Sequence, residues 1–199
     1  ANIIWYSNST DFGQQWELMY FFHGLNEFTQ KTFEEQIAPQ ISTAVAQGRN
    51  FVLVMPELPW SKNFGGKRQH AAFNPDVVDS ILGVGNQSKR FRKYHAEIMK
   101  RLNELHGKKK LTPNLVSIYA HSAGGGALKY AAKSGCLKSV GVERLFLSDC
   151  DYMGVTKSVW DEYVKTNKNV WMTCMTRKGK PRKATDKAFK IIGAVQKER

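Results

Sequence analysis

Cysteine is scarce in this chain and acidic residues are outnumbered. The three cysteines among 199 residues, Cys136, Cys150 and Cys174, are odd in number and widely spaced, with no C-x-x-C pair. That pattern excludes a disulfide framework and the usual signatures of structural zinc or dithiol redox work, so they read as reduced packing residues. No apolar run approaches the roughly 20 residues that span a bilayer. The opening "ANIIWYSNST" lacks the basic-then-apolar order of a signal peptide, and a soluble chain is expected. An alanine at position 1 fits loss of an initiator methionine, loss of an upstream signal, or a cut from a longer protein. Internal repeats and low-complexity linkers are missing too, so residues 1–199 read as a single domain.

The shortage of acidic residues has its counterpart in the basic ones. Against 17 Asp+Glu stand 30 Lys+Arg, a formal charge of +13. The cations gather in "KRFRK" (89–93), "KKK" (108–110) and "RKGKPRK" (177–183), and none of the clusters sits in a zinc-finger, RRM or helix-turn-helix pattern. Their ordinary role is a solvated face; the functional alternative is attraction to a polyanion such as cell wall, anionic glycan, membrane surface or nucleic acid.

A composition of 42% hydrophobic and 12% aromatic residues suits a globular domain with a substantial core. Short apolar, β-rich runs appear at 3–6, 18–22, 51–55, 115–120, 143–148 and 170–175. Stretches of helical period lie at 33–47, 90–106, 124–134, 157–166 and 184–197. Continuous apolar strands alternating with amphipathic helices predict an α/β fold, a mostly parallel central sheet with helices on both faces. One long irregular segment interrupts the alternation, "PELPWSKNFGGKRQHAAFNPDVVDSILGVGNQ" (56–87), which reads as a lid or binding loop or as a plain insertion. Its Trp60, Phe64 and Phe73 would give an apolar or sugar-stacking wall for a substrate.

Chemistry concentrates in "YAHSAGGGALKYAA" (119–132), where Ser122 sits between a predicted buried strand and a predicted helix. A structural turn that happens to hold a serine is one reading. A nucleophile elbow is the other: its serine takes a strained backbone, and the positions two before and two after must be small, here Ala120 and Gly124. The turn would also set the serine at a helix N-terminus, where free N–H groups favour negative charge. Upstream, "YFFHGLNEF" (20–28) ends a strand with His23-Gly24.

The A-x-S-x-G elbow and the earlier H-G segment, in this order and about one hundred residues apart, resemble the α/β-hydrolase fold over nearly the whole chain. The resemblance implies a serine esterase, lipase or amidase acting through an acyl-enzyme, with no metal or cofactor. It implies an oxyanion hole from the Leu25 and Ala123 amides beside Gly24, and a structural His23. The acid would follow the strand "ERLFLS" in "DCDY", with Asp149 the better candidate and Asp151 second; as ordinary residues both would be turn or cap aspartates.

The base is what the sequence fails to supply. The family's chain order is serine, acid, then histidine, yet all five histidines, His23, His70, His95, His106 and His121, precede Ser122. His121 adjoins the elbow and reads as a packing residue, and His95 and His106 fall on the flank of helix 90–106. Only His70, in the long segment, is placed to reach in. Three explanations stand: the 199 residues stop short of a final strand and its histidine loop; His70 or another group serves; or catalysis has been lost and the scaffold binds rather than cleaves.

Overall fold

The computed structural model describes residues 3–24, 29–56, 58, 90–107, 110–151, 154–176, 183 and 186. Six strands form one sheet: β1 (Ile3–Tyr6), β2 (Glu17–Phe22), β3 (Phe51–Met55), β4 (Leu115–His121), β5 (Val142–Ser148) and β6 (Trp171–Met175). Their spatial order is β1-β3-β2-β4-β5-β6, with β1 antiparallel to β3 and every other pairing parallel. The expected α/β fold with a mostly parallel sheet is therefore the fold observed. All five residues of "FVLVM" in β3 are buried, as a strand needs when both its faces are covered.

The helices are α1 (Thr29–Thr32), α2 (Ala38–Ala46), α3 (Arg90–Leu105), α4 (Gly124–Lys133), α5 (Cys136–Val140) and α6 (Val155–Glu162). Between α1 and α2 the chain widens into a π-helical turn, Phe33–Ile37, so the single helix expected over 33–47 is divided in register. The sequence signals also missed α5, which is set off by left-handed Gly135 and Gly141 at its two ends.

Strand order decides which face each helix takes. The chain passes from β2 outward to β3, then crosses back over β2 to β4 and continues to β5 and β6. Because parallel crossovers are right-handed, reversing the direction of travel moves the connecting helix to the opposite face. Accordingly α2 packs beneath β1, β3 and β2 with Phe21, Phe51, Leu53 and Met55. On the other face α3 to α6 bury Phe91, Ile98, Leu102, Leu128, Leu137 and Val159 against Leu18, Tyr20, Phe22, Ile118 and Leu147.

That reversal puts the topological switch point between the carboxyl ends of β2 and β4. Open α/β sheets bind ligands at this switch point, because the loops above the two strands diverge there. Phe22 pairs with Ala120 and His121 with Ser148 at that edge. Ser122 and Asp149 each stand one residue beyond a strand end, side by side.

Candidate active site

Two residues other than glycine have positive φ among the described residues, Ser122 (φ 50°) and Asp149 (φ 50°). An L-residue in this left-handed region costs about 1–3 kcal/mol, and such strain collects at functional sites. Aspartate tolerates it through local hydrogen bonding; serine has less excuse.

Local contacts hold Ser122 in this shape. Its N–H donates to the Ser148 carbonyl at 2.8 Å, extending the β4–β5 ladder by one bond, while its own carbonyl accepts from Gly125 N–H at 3.1 Å. The chain turns straight into α4 after a single residue, Ala123. The small residues are forced by close backbone approach. A Cβ on Gly124 would lie 2.1 Å from the Phe22 carbonyl oxygen and 2.9 Å from that of His23. One on Gly125 would lie 2.7 Å from the Cys150 Cβ, a constraint the elbow motif alone did not reveal. Ala120 is wholly buried beneath.

The serine side chain is half-buried and its hydroxyl has no hydrogen-bond partner among the described residues. Ala123 N–H likewise meets no described acceptor. One reactive-type oxygen and an unengaged amide at a helix N-terminus thus share the sheet edge at the switch point.

His23 stands one residue beyond the end of β2 at the same edge. It is wholly buried; its Nδ1 donates to the Gly24 carbonyl at 2.9 Å and its Nε2 accepts the Leu58 N–H at 2.9 Å. An Nε2 that accepts cannot carry the proton, so the tautomer is fixed with hydrogen on Nδ1. Both nitrogens are spent, and the ring ties the end of β2 to the chain leaving β3.

Of the expected site residues, Ser122, Ala123, Gly24, Asp149 and Asp151 gather at this sheet edge. Leu25, Trp60, Phe64, His70 and Phe73 lie outside the described residues. Asp149 is nearly buried, and its N–H donates to the Met175 carbonyl at 2.9 Å. Asp151 is 1% exposed; Oδ1 accepts the Thr156 N–H at 3.1 Å, capping α6, while Oδ2 has no hydrogen-bond partner. Desolvation lowers the Lys129 pKa and nearby Lys133 adds to it, with Asp151 pulling the other way.

The remaining histidines stand away from the serine. His95 sits half-buried on the flank of its helix, as expected, and its Nδ1 shares a hydrogen bond with the Tyr20 hydroxyl at 2.8 Å; burial lowers its pKa to about 4 and keeps it neutral. His106 packs its ring at a tilt against Phe12, centroids 4.2 Å apart, at the opposite end of the sheet. His121 lines a cavity of about 490 Å³ on the α2 face. Cys150 and Cys174 are pushed up to about 12 by burial, so both stay thiols at neutral pH and neither competes as a nucleophile.

No family model and no curated protein matches the chain. Three of the solved structures it resembles are esterases. A ferulic acid esterase shares 13% identity, with 90% of this chain and 83% of that one covered and a TM-score of 0.44. Esterase B from Lactobacillus rhamnosis shares 10%, covering 96% and 66%, with a TM-score of 0.43. Est1E from Butyrivibrio proteoclasticus, solved with ferulic acid, shares 9%, covering 96% and 93%, with a TM-score of 0.40. At such identities the chemistry of this chain has to be read from its own residues.

The basic clusters fall mostly outside the described residues. On α3, three exposed ion pairs within the helix, Arg101–Glu97, Lys100–Glu104 and Arg101–Glu104, offset part of its charge. No described helix is long and apolar enough to cross a membrane.

Proposed function

We propose that this protein is a serine hydrolase that cleaves a carboxylic ester, with amides as the second choice of substrate. The observation that carries the reading is the left-handed Ser122 at the topological switch point, at the mouth of a helix N-terminus. In this mechanism Ser122 Oγ gives its proton to a base as it bonds to the substrate carbonyl carbon. The oxyanion gathers against the Ala123 N–H and a second amide from the loop after Gly24, that of Leu25. The alcohol leaves with the proton, and water hydrolyses the acyl-serine by the reverse proton path.

Asp149, one step beyond β5 and level with Ser122, is assigned to orient the base. Asp151 is the alternative: one of its oxygens caps α6 and the other is open. His70 is assigned as the base. Trp60, Phe64 and Phe73 are assigned to the substrate wall, and the surface cations to a polyanion near the substrate.

The unpartnered Ser122 hydroxyl favours one second reading, a binding module on the same scaffold. Turnover separates the two. Hydrolysis of p-nitrophenyl esters of graded chain length by the parent, reduced at least 1000-fold in Ser122→Ala, supports the hydrolase. Equal rates in parent and variant at matched fold would refute it, and His70→Ala tests the base by the same assay.

A further inference from the structure

One side chain holds the exit of β2. The wholly buried His23 faces two different segments: its Nδ1 donates to the Gly24 carbonyl at 2.9 Å, and its Nε2 accepts the Leu58 N–H at 2.9 Å. Leu58 is itself buried and follows β3, the strand that pairs with β2. An N–H opposite Nε2 leaves only the neutral tautomer with hydrogen on Nδ1. Moving that hydrogen to Nε2 would break both bonds together, since the Gly24 oxygen would face a lone pair and the Leu58 N–H another hydrogen.

The carbonyl that Nδ1 engages matters for an oxyanion. The C=O of Gly24 and the N–H of the next residue belong to one planar unit, and in a trans peptide they point in opposite directions. Pinning that oxygen therefore sets the direction of the Leu25 N–H through Gly24 alone, whatever the arrangement of the rest of Leu25. Accepting a hydrogen bond at the oxygen also polarises the unit and makes its N–H the better donor. This end of β2 lies against the start of α4, for a Cβ on Gly124 would stand 2.9 Å from the His23 carbonyl oxygen. The peptide gripped by the imidazole and the unengaged Ala123 amide accordingly belong to adjoining backbone segments.

We propose that His23 is a positioning residue: the donor edge of its ring aims and polarises the Gly24–Leu25 peptide as an oxyanion donor, and the Leu58 N–H holds the ring in place. The assignment rests on the hydrolase reading of Ser122 and adds to it a side chain that acts without touching substrate. Imidazole donates on one edge and accepts on the other. Asparagine and glutamine carry a donor and an acceptor on a single carbon, so neither reaches both partners from this position, and the two bonds can be separated by substitution.

His23→Asn puts an amide nitrogen where Nδ1 stands and keeps the donor to Gly24; His23→Gln puts an amide oxygen where Nε2 stands and keeps the acceptor for Leu58. Turnover of a p-nitrophenyl ester by the full chain reads the difference. In His23→Gln kcat should fall about 100-fold, the cost of one oxyanion donor, with KM within about threefold of the parent, whereas His23→Asn should stay within about fivefold in kcat. A merely structural histidine would instead lose turnover in both variants in step with their stability. Equal kcat losses in the two, or an undiminished kcat in His23→Gln, overturn the proposal while leaving the hydrolase reading intact. A parent without Ser122-dependent turnover refutes the hydrolase reading, and the proposal with it. Should a variant fail to fold, the imidazole nitrogen NMR signals of the parent decide: hydrogen on Nδ1 beside a bare Nε2 upholds the arrangement, and hydrogen on Nε2 overturns it.

Discussion

Among the described glycines, the one where an added Cβ would meet the closest atoms lies beside the proposed nucleophile, and Gly124→Ala probes it. The added methyl would stand 2.1 Å from the Phe22 carbonyl oxygen, 2.7 Å from its carbon and 2.9 Å from the His23 carbonyl oxygen. All three are main-chain atoms of β2 and the residue after it, so no side-chain rotation relieves the overlap; α4 must lift by about 1 Å. Overpacking of this kind costs about 1–3 kcal/mol, and backbone obstacles belong at the top of that range. Alanine offsets about 1 kcal/mol through helix propensity and a stiffer unfolded chain. A net loss of about 2 kcal/mol is expected, which at a urea slope of about 2 kcal/mol/M moves the midpoint down by about 1 M. Gly125→Ala meets the Cys150 side chain instead and should lose about half as much. Because lifting α4 displaces the Ala123 amide, Gly124→Ala should also lose ester turnover by at least tenfold. A variant within about 0.5 kcal/mol of the parent and fully active would refute the close-approach argument for the elbow.

Three other outcomes follow from individual contacts. The His95 pKa of about 4 in the fold, below 6.5 unfolded, means the unfolded chain takes the proton first. Its contribution is therefore complete above pH 6.5 and lost as pH falls toward 4, about 2 kcal/mol after allowance for partial exposure; His95→Gln should flatten urea midpoints across that window. Tyr163, whose hydroxyl donates to the buried Val142 carbonyl at 2.5 Å, should cost about 1–2 kcal/mol as Tyr163→Phe in the same titration, and an unchanged midpoint would contradict that hydrogen bond. Asp149→Asn should cut ester turnover about 100-fold or more with little change in melting temperature, whereas Asp151→Ala, which uncaps α6, should lower stability by about 1 kcal/mol; the reverse pattern would exchange their roles.

Most of the fold could be read because its signals are local. "FVLVM" is apolar throughout and "LVSIYA" is so apart from Ser117, as a strand covered on both faces requires, and "AHSAGGG" is small where strand and helix nearly touch. The division of helix 33–47 by a π turn was invisible, since one inserted residue shifts the register without altering the apolar period. His95 could be placed on the helix flank but its partner could not, since the Tyr20 hydroxyl comes from β2, 75 residues away in sequence. Gly125 was underread because its neighbour, Cys150, becomes one only through the β4–β5 pairing. The acid is the hardest assignment, as Asp149 and Asp151 share one tripeptide and differ in backbone conformation and capping, which spacing does not encode.

The central claim is that Ser122 is an activated alcohol held out over the sheet edge. Reaction of the folded protein with a fluorophosphonate, followed by intact-mass and peptide mapping, addresses it directly. The account predicts one adduct, formed with loss of fluoride, on Ser122 and absent from Ser122→Ala. A folded protein that takes up no reagent, or takes it up on another residue, would contradict it.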